Sequence, residues 1–367
     1  MDFHAQGLRI MNRYSIIIQG EGKGHYSQAM AALELLEGED YQLASVYLGR
    51  SIMRKSPAYF REYKKTRIIR FLSPNFIRTS DGKGIHVFAS LFFNFLLIPV
   101  YLLETLRIAI LMRKDQCNFI LNFYDPVGSL SARWWRPKTR RLTISHHFYL
   151  SHPDFIHPHG LERSYFWLQF MNHLMHRQTG NALALSFRKG ADHKKIKVIP
   201  PLIRQDVRQL KYTPGKRDLI YLLNPGFLEA FLDLYRRTPD CYADVFTGKN
   251  SELTVPENVT LYRPERKEFL KKMANCRRII STAGFDLVAE AFYLGIPIYL
   301  LPTPNHYEQY CNAIDAARTG MAYHLDVPEE MEHVDFEPTN NKGFKAWAER
   351  SKAELLEAVF LPSSRTK

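Results

Sequence analysis

Short β-branched apolar runs alternate along the chain with stretches whose apolar residues recur at helical spacing. Residues 14–19 (YSIIIQ) end at a glycine-rich loop, residues 27–36 read as a helix, and residues 41–48 read as the next strand. Strand, loop, helix and strand in that order open a parallel α/β sheet. Residues 119–122 (FILN) and 141–145 predict two further strands, ending on Tyr124 and Asp125 and on His146 and His147. In open α/β sheets the ligand crevice lies at the carboxyl ends of the strands, so those four residues face a candidate site. A second series starts near residues 197–201 (KVIPP), with strands predicted at 218–223, 242–247, 259–262, 278–281 and 298–301 and a helix through 227–235. The pattern predicts two α/β domains, residues 1–195 and 196–340, then a C-terminal helix in 341–367 that packs back on the first domain.

One segment breaks the alternation. Residues 87–103 (VFASLFFNFLLIPVYLL) carry only Ser90 and Asn94 as polar positions. A membrane-spanning helix needs about 20 apolar residues, and Pro99 with the following Glu104 and Arg107 argues against a span. The pattern predicts a core helix that is apolar on most sides. A helix that lays one face on a bilayer is the other possibility.

Charge narrows the partners. Fifty Lys and Arg against 37 Asp and Glu give a net charge of +13, which suits nucleic acid, a membrane surface or a phosphorylated small molecule. Residues 50–70 hold eight Lys or Arg against one acid, with Tyr59, Phe60 and Tyr63 interleaved; residues 133–136 (RWWR) and 194–197 add more. Such clusters suit an anionic bilayer, stacked bases, or simply a solvated basic face. Together with residues 87–103 they favour the bilayer, and nucleic acid is not expected as a partner. The four cysteines form no C-x-x-C pair, so neither a disulfide framework nor structural zinc is expected, and a reducing cytoplasm is the expected compartment. The first residues lack a secretory signal pattern, and Met1 and Met11 are both possible starts.

Two loops carry candidate chemistry. Residues 20–25 (GEGKGH) follow a strand and open a helix. Gly22 and Gly24 let a ligand approach the backbone, and His25 stands at the helix start. The loop is not a dinucleotide fingerprint, which needs glycine where His25 stands, nor a P-loop, which needs G-K-[ST]. Residues 281–285 (STAGF) likewise link a strand to a helix. Small residues and free helix-terminal amides suit a diphosphate, and Glu290, one turn on, is placed to accept both hydroxyls of a ribose.

From residue 281 to 313 the sequence STAGFDLVAEAFYLGIPIYLLPTPNHYEQYCNA resembles the donor-binding half of GT-B glycosyltransferases. It is most similar to the family-28-like group that holds the peptidoglycan-precursor N-acetylglucosaminyltransferases and the galactolipid synthases. GEGKGH resembles that group's acceptor-side G-G-x-G-G-H loop, and NFYDPVGSLSARWW with TISHHF resembles the middle of its acceptor domain. The likeness implies a GT-B fold, two Rossmann-like domains with a cleft between them. It also implies sugar transfer from a nucleotide-sugar donor, UDP-linked by resemblance, to a lipid-linked or envelope acceptor, with inversion. Residue by residue, Ser281, Gly284 and Phe285 fall in the phosphate loop, Glu290 on the ribose, Glu308 and Gln309 on the sugar, and Gly22, Gly24, His25, His146 and His147 on the acceptor side. Glu21 stands where the group has glycine, and Glu308 where glutamine is common. Such a reaction needs a base for the acceptor hydroxyl, and His25 is the first candidate, Asp125 the second. No D-x-D triplet occurs, so no metal and no other cofactor is expected. The expected location is the cytoplasm, peripheral on the inner face of its membrane. A sugar-nucleotide epimerase on the same fold and a non-catalytic basic binding protein are the alternatives.

Overall fold

The protein is described from a computed structural model that covers residues 12–21, 23–38, 41–52, 56–61, 63–75, 77, 87–135, 139–179, 181–222, 225–248, 253–304, 306–334 and 336–360. Gly22 and both possible start residues lie outside the described residues.

The first domain runs β1 (Asn12–Ile18), α1 (Lys23–Leu36), β2 (Tyr41–Arg50), α2 (Ala58–Arg61), β3 (Arg67–Leu72), α3 (Val87–Leu96), α4 (Ile98–Asp115), β4 (Phe119–Phe123), α5 (Pro126–Trp135), β5 (Arg140–Ser145), α6 (Glu162–Thr179), β6 (Ala182–Leu185) and β7 (Ile196–Ile199). The second runs α7 (Gln205–Arg208), β8 (Arg217–Leu222), α8 (Leu228–Arg237), β9 (Tyr242–Thr247), β10 (Val259–Tyr262), α9 (Arg266–Met273), β11 (Ile279–Ser281), α10 (Phe285–Leu294), β12 (Ile298–Leu300), α11 (Tyr307–Ala317), β13 (Ala322–His324), α12 (Lys342–Glu349) and α13 (Ser351–Phe360). Two parallel sheets result, ordered β3-β2-β1-β4-β5-β6-β7 and β10-β9-β8-β11-β12-β13.

Strand β1 shows why the sheet is covered on both faces. Ile16 and Ile18 join the core under α1 with Ala29 and Leu33, whereas Ile17 joins Ile108 and Met112 of α4 on the opposite side. Successive strand residues point to opposite faces, so a run that is apolar at every position belongs inside a two-sided sheet.

The domain division moves slightly from the expected one. The segment at 196–199 pairs with β6 and closes the first sheet, so the connection begins at Pro200 and not at residue 196. The C-terminal segment is two helices. Trp347 of α12 donates from Nε1 to the Ser186 carbonyl at 3.1 Å, and Phe360 of α13 stacks on Tyr41 of the first domain.

In the basic cluster at 50–70 the aromatic residues belong to the core, while Arg50, Lys64, Lys65, Arg67 and Arg70 stay exposed. Phe60 is fully buried, Tyr59 and Tyr63 pack against the same core, and Arg204 lies over the Tyr59 ring. Lys65 pairs with Glu37 and Arg67 with Asp115. The aromatics between the cations are there for packing.

The segment at 87–103 is not a core helix either. It splits at Leu97 into α3 and α4, which meet at 56°, with Pro99 tolerated because it falls in the first turn of α4. No single helix among the described residues is long and apolar enough to cross a membrane. The two polar positions face inward. Ser90 Oγ accepts the Ile77 amide, and Asn94 bridges the Asn75 backbone and the Tyr101 hydroxyl. Leu91, Phe92, Phe95, Leu96, Leu102 and Leu103 face outward, Phe95 at 67% exposure and Leu103 at 69%.

Candidate active site

In each sheet the strand order reverses beside the first strand, between β1 and β4 and between β8 and β11. The carboxyl ends of such strands are where ligands bind in this architecture. At the first reversal stand His25 and Tyr124; at the second stands the loop 282–284.

The glycines of GEGKGH serve different ends. A Cβ at Gly20 would lie 2.6 Å from the Gly49 carbonyl oxygen, so Gly20 allows the ends of β1 and β2 to touch. A Cβ at Gly24 would lie 2.8 Å from Asp286 Oδ2. Gly24 therefore makes room for a side chain of the other domain.

His25, in the first turn of α1, belongs to a stacked group. Its ring centroid lies 5.9 Å from those of Tyr124 and His147, which are 4.6 Å apart. Tyr124 holds this place with φ at 61°, a conformation unusual for an aromatic residue and costing on the order of 1–3 kcal/mol. Its hydroxyl donates to Asn172 Oδ1, whose Nδ2 donates to the His147 carbonyl at 2.6 Å. His147 Nδ1 meets Ser145 Oγ at 2.7 Å, and its Nε2 lies 3.4 Å from Glu308 Oε2 of the second domain. Burial pushes the Glu308 carboxyl up, but His147, His306 and His25 together hold it well below the usual carboxylate range. Burial, reinforced by His147 and partly offset by Glu308, lowers His25 to about 4. The ring is neutral at pH 7 and its Nδ1 is buried without a hydrogen-bond partner.

The second lip of the cleft is also strained. Ala283 has φ at 58° and is held by Asn312 Nδ2, which donates to its carbonyl at 2.9 Å. Thr282 Oγ1 is buried without a partner. Gly284 caps α10, and a Cβ there would meet nothing within 4 Å. Open space, a spare hydroxyl and the free amides of a helix start make a fit for an anion. Ser281 is the buried last residue of β11, its carbonyl taken by the Leu301 amide.

Other expected site residues have partners of their own. The Phe285 ring lies between Phe187 and His146, at centroid distances of 4.6 and 4.0 Å, and helps join the two domains. His146 Nδ1 meets the Leu185 carbonyl at 2.7 Å, and burial lowers it to about 4; it is an interface ring. Glu290 is buried and its Oε1 accepts from Arg266 at 3.0 Å, while Arg266 also grips Asp206 through two nitrogens. Gln309 Oε1 accepts the Thr303 amide at 2.7 Å and shapes the loop before α11. Asp125 caps α5 through Gly128 and also accepts from Ser73; burial raises it to about 7 against those hydrogen bonds. The structure joins His25, His147 and Glu308, and gives Asp125 partners outside that group. Among the described residues no three His, Cys, Asp or Glu stand together as a metal site would require.

Sequence reasoning gave no role to Asn172, Arg266, Gln28 or Asp286, and gave Tyr124 only a place facing the candidate site. Only Tyr124 left a signal, as a polar residue just past a strand end.

Comparison with known proteins bears on the family and the fold. The family described as Glycosyl transferase family 1 matches residues 142–336, just over half of the chain. No curated protein matches. Among solved structures, the glycotransferase of kitacinnamycin aligns over 95% of this chain and 99% of its own, with a TM-score of 0.61 at 13% identity. MurG of Acinetobacter baumannii aligns over 95% and 99%, with a TM-score of 0.57 at 15% identity. UGT2 of Phytolacca americana, complexed with UDP-2fluoro-glucose and pterostilbene, aligns over 95% and 94%, with a TM-score of 0.58 at 10% identity. At such identities the structural likeness speaks for the fold, and with two parallel sheets it is the GT-B fold. By that fold and the family match, the chain belongs to glycosyl transferase family 1 and is a GT-B glycosyltransferase.

Proposed function

We propose that the enzyme moves a sugar from a nucleoside-diphosphate donor, UDP-linked by resemblance, to a hydroxyl of a lipid-linked or envelope acceptor at a membrane surface. The observation that carries this reading is the stack of His25, Tyr124 and His147 facing Glu308 across the domains, beside a strained loop at a helix start. The diphosphate sits at the start of α10, held by Gly284, Thr282 and the helix amides without a dedicated metal. Glu290 takes the ribose, with Arg266 fixing its carboxylate, and Glu308 reaches the sugar. The acceptor oxygen attacks the anomeric carbon as the bond to the diphosphate breaks, and neutral His25 takes the acceptor proton. The helix dipole steadies the charge that develops on the leaving group.

The membrane part of the reading rests on α3 and α4. A helix with its polar residues inside and Phe92, Phe95 and Leu96 outside has the reverse of the usual amphipathicity. Leu102, Leu103, Leu106 and Ile110 of α4 and Phe166, Trp167 and Phe170 of α6 add to the exposed apolar surface, with Arg113, Lys114, Arg133 and Arg163 exposed on α4, α5 and α6. Apolar side chains and cations together suit an anionic bilayer.

Calorimetric titration with a panel of nucleotide sugars tests the donor site. One UDP-sugar is expected to bind, and Glu290→Ala to weaken it by about 1.5–3 kcal/mol, the scale of a hydrogen bond to a charged group. A folded Glu290→Ala protein with unchanged donor affinity contradicts the ribose assignment.

A further inference from the structure

Asp286 stands where the two domains meet. It is the second residue of α10, two places after Gly284, which caps the helix. Its Oδ1 accepts from Gln28 Nε2 of α1 at 3.0 Å, and its Oδ2 lies over Gly24, next to His25. The oxygen of the same Gln28 amide, Oε1, is buried without a partner on a side chain only 4% exposed. Asp286 itself retains some exposure. A carboxyl group thus shares the first turn of α10 with the anion site that Thr282 and Gly284 form, close to two more carboxylates.

An ionised carboxylate in that position would repel a diphosphate; a carboxylic acid would bind it. We propose that Asp286 is a further donor-contacting residue, giving a hydrogen bond from its carboxyl proton to the diphosphate at the start of α10. The inference rests on the donor site described above. Gln28 accounts for one carboxyl oxygen, so the proton of the proposed acid resides on the other, Oδ2, beside Gly24. The charged and titratable groups around Asp286 are Glu290 on its own helix, Glu308 of α11, Arg266 of α9, Tyr59 of α2 and His25 of α1, the neighbour of Gly24. Burial is the main force that raises its pKa, to about 8; the Gln28 hydrogen bond and Arg266 oppose, and Glu290 and Glu308 add to the rise. At neutral pH the acid form predominates. Carboxylic acids kept neutral by enclosure are effective hydrogen-bond donors.

The test is titration of the full chain with UDP, with GDP and ADP as alternative probes, from about pH 7 to about pH 9.5. The unmodified protein is compared with Asp286→Asn and Asp286→Ala, and circular dichroism confirms that each variant is folded. The amide of Asp286→Asn keeps a donor and cannot ionise. The unmodified protein is expected to lose nucleotide affinity above about pH 8, approaching tenfold per pH unit, while Asp286→Asn stays within about twofold over the same range. Asp286→Ala is expected to bind about tenfold more weakly at pH 7. If the unmodified protein and Asp286→Asn fall in parallel while UDP binds, or if Asp286→Ala binds as tightly as the unmodified protein, Asp286 makes no such bond and the proposal is overturned alone. Absence of nucleotide binding to the unmodified protein at every pH overturns the donor site and the proposal with it.

Discussion

The two domains share one plan, a parallel sheet under helices, yet present different surfaces. Of the large apolar side chains exposed among the described residues, sixteen fall between Ile52 and Phe170, and only Tyr242, Val255, Val327 and Phe360 lie beyond. The second domain also closes its polar interior on itself. Asp218 takes Arg277, Arg278 and the Tyr235 hydroxyl, and Asp244 takes Arg217 and Lys272. The loop before α10 opens onto free space, since a Cβ at Gly284 would meet nothing within 4 Å. A domain that binds a soluble nucleotide needs only such a cradle, whereas a domain that meets an amphiphilic acceptor needs an apolar outer face as well. The difference in surface is the one expected if, as proposed, the second domain holds the donor and the first meets the acceptor.

The largest expected effect lies in the cleft. His25→Ala should lower turnover by about 10²–10⁴-fold, the usual scale for loss of a general base, with donor affinity near normal. Steady-state kinetics beside calorimetry check this. Near-full turnover in His25→Ala would move the base elsewhere, and a large loss in Asp125→Ala alone would point to Asp125.

A smaller effect is expected at the outer face. Two buried phenylalanines contribute about 1.5–3 kcal/mol each on entering an apolar phase. Phe92→Ser with Phe95→Ser should therefore weaken binding to anionic vesicles by at least about 3 kcal/mol by that scale, leaving nucleotide binding unchanged. Co-sedimentation at low and high salt measures it; exposed charges are screened beyond about 10 Å at 0.1 M salt, so salt should release part of the bound protein. Equal vesicle binding by the double variant would show that this face stays in water and would remove the contrast between the domains.

Much of this was legible in the residues. The βα alternation, the two glycine loops and the block from Ser281 to Gln309 placed both lips of the cleft, because strand ends and helix starts leave local marks. Strands β3, β6, β7 and β13 went unread. They are three to six residues long, no shorter than strands that were read, and β7 was taken for the start of the next domain. Residues 87–103 show the deeper limit. Apolar content signals that a side chain avoids water, but not which way it turns, and here Ser90 and Asn94 proved to be the inner face. In the basic run at 50–70 the reverse holds for the aromatics, which interleave with exposed cations in sequence yet belong to the core. Asp286 went unnoticed because an acid in the first turn of a helix reads as a partner of the helix dipole. Only the second domain's approach to Gly24 shows it facing a crowded cleft.

The central claim is that the donor nucleotide binds at the start of α10 and across to α11. Hydrogen–deuterium exchange with and without UDP tests it most directly, since amide opening reports local stability segment by segment. The account predicts slower exchange in residues 281–290 and 303–312 on nucleotide binding, with smaller changes at the start of α1. Protection confined to the first domain, or spread evenly with no focus at 281–290, would contradict it.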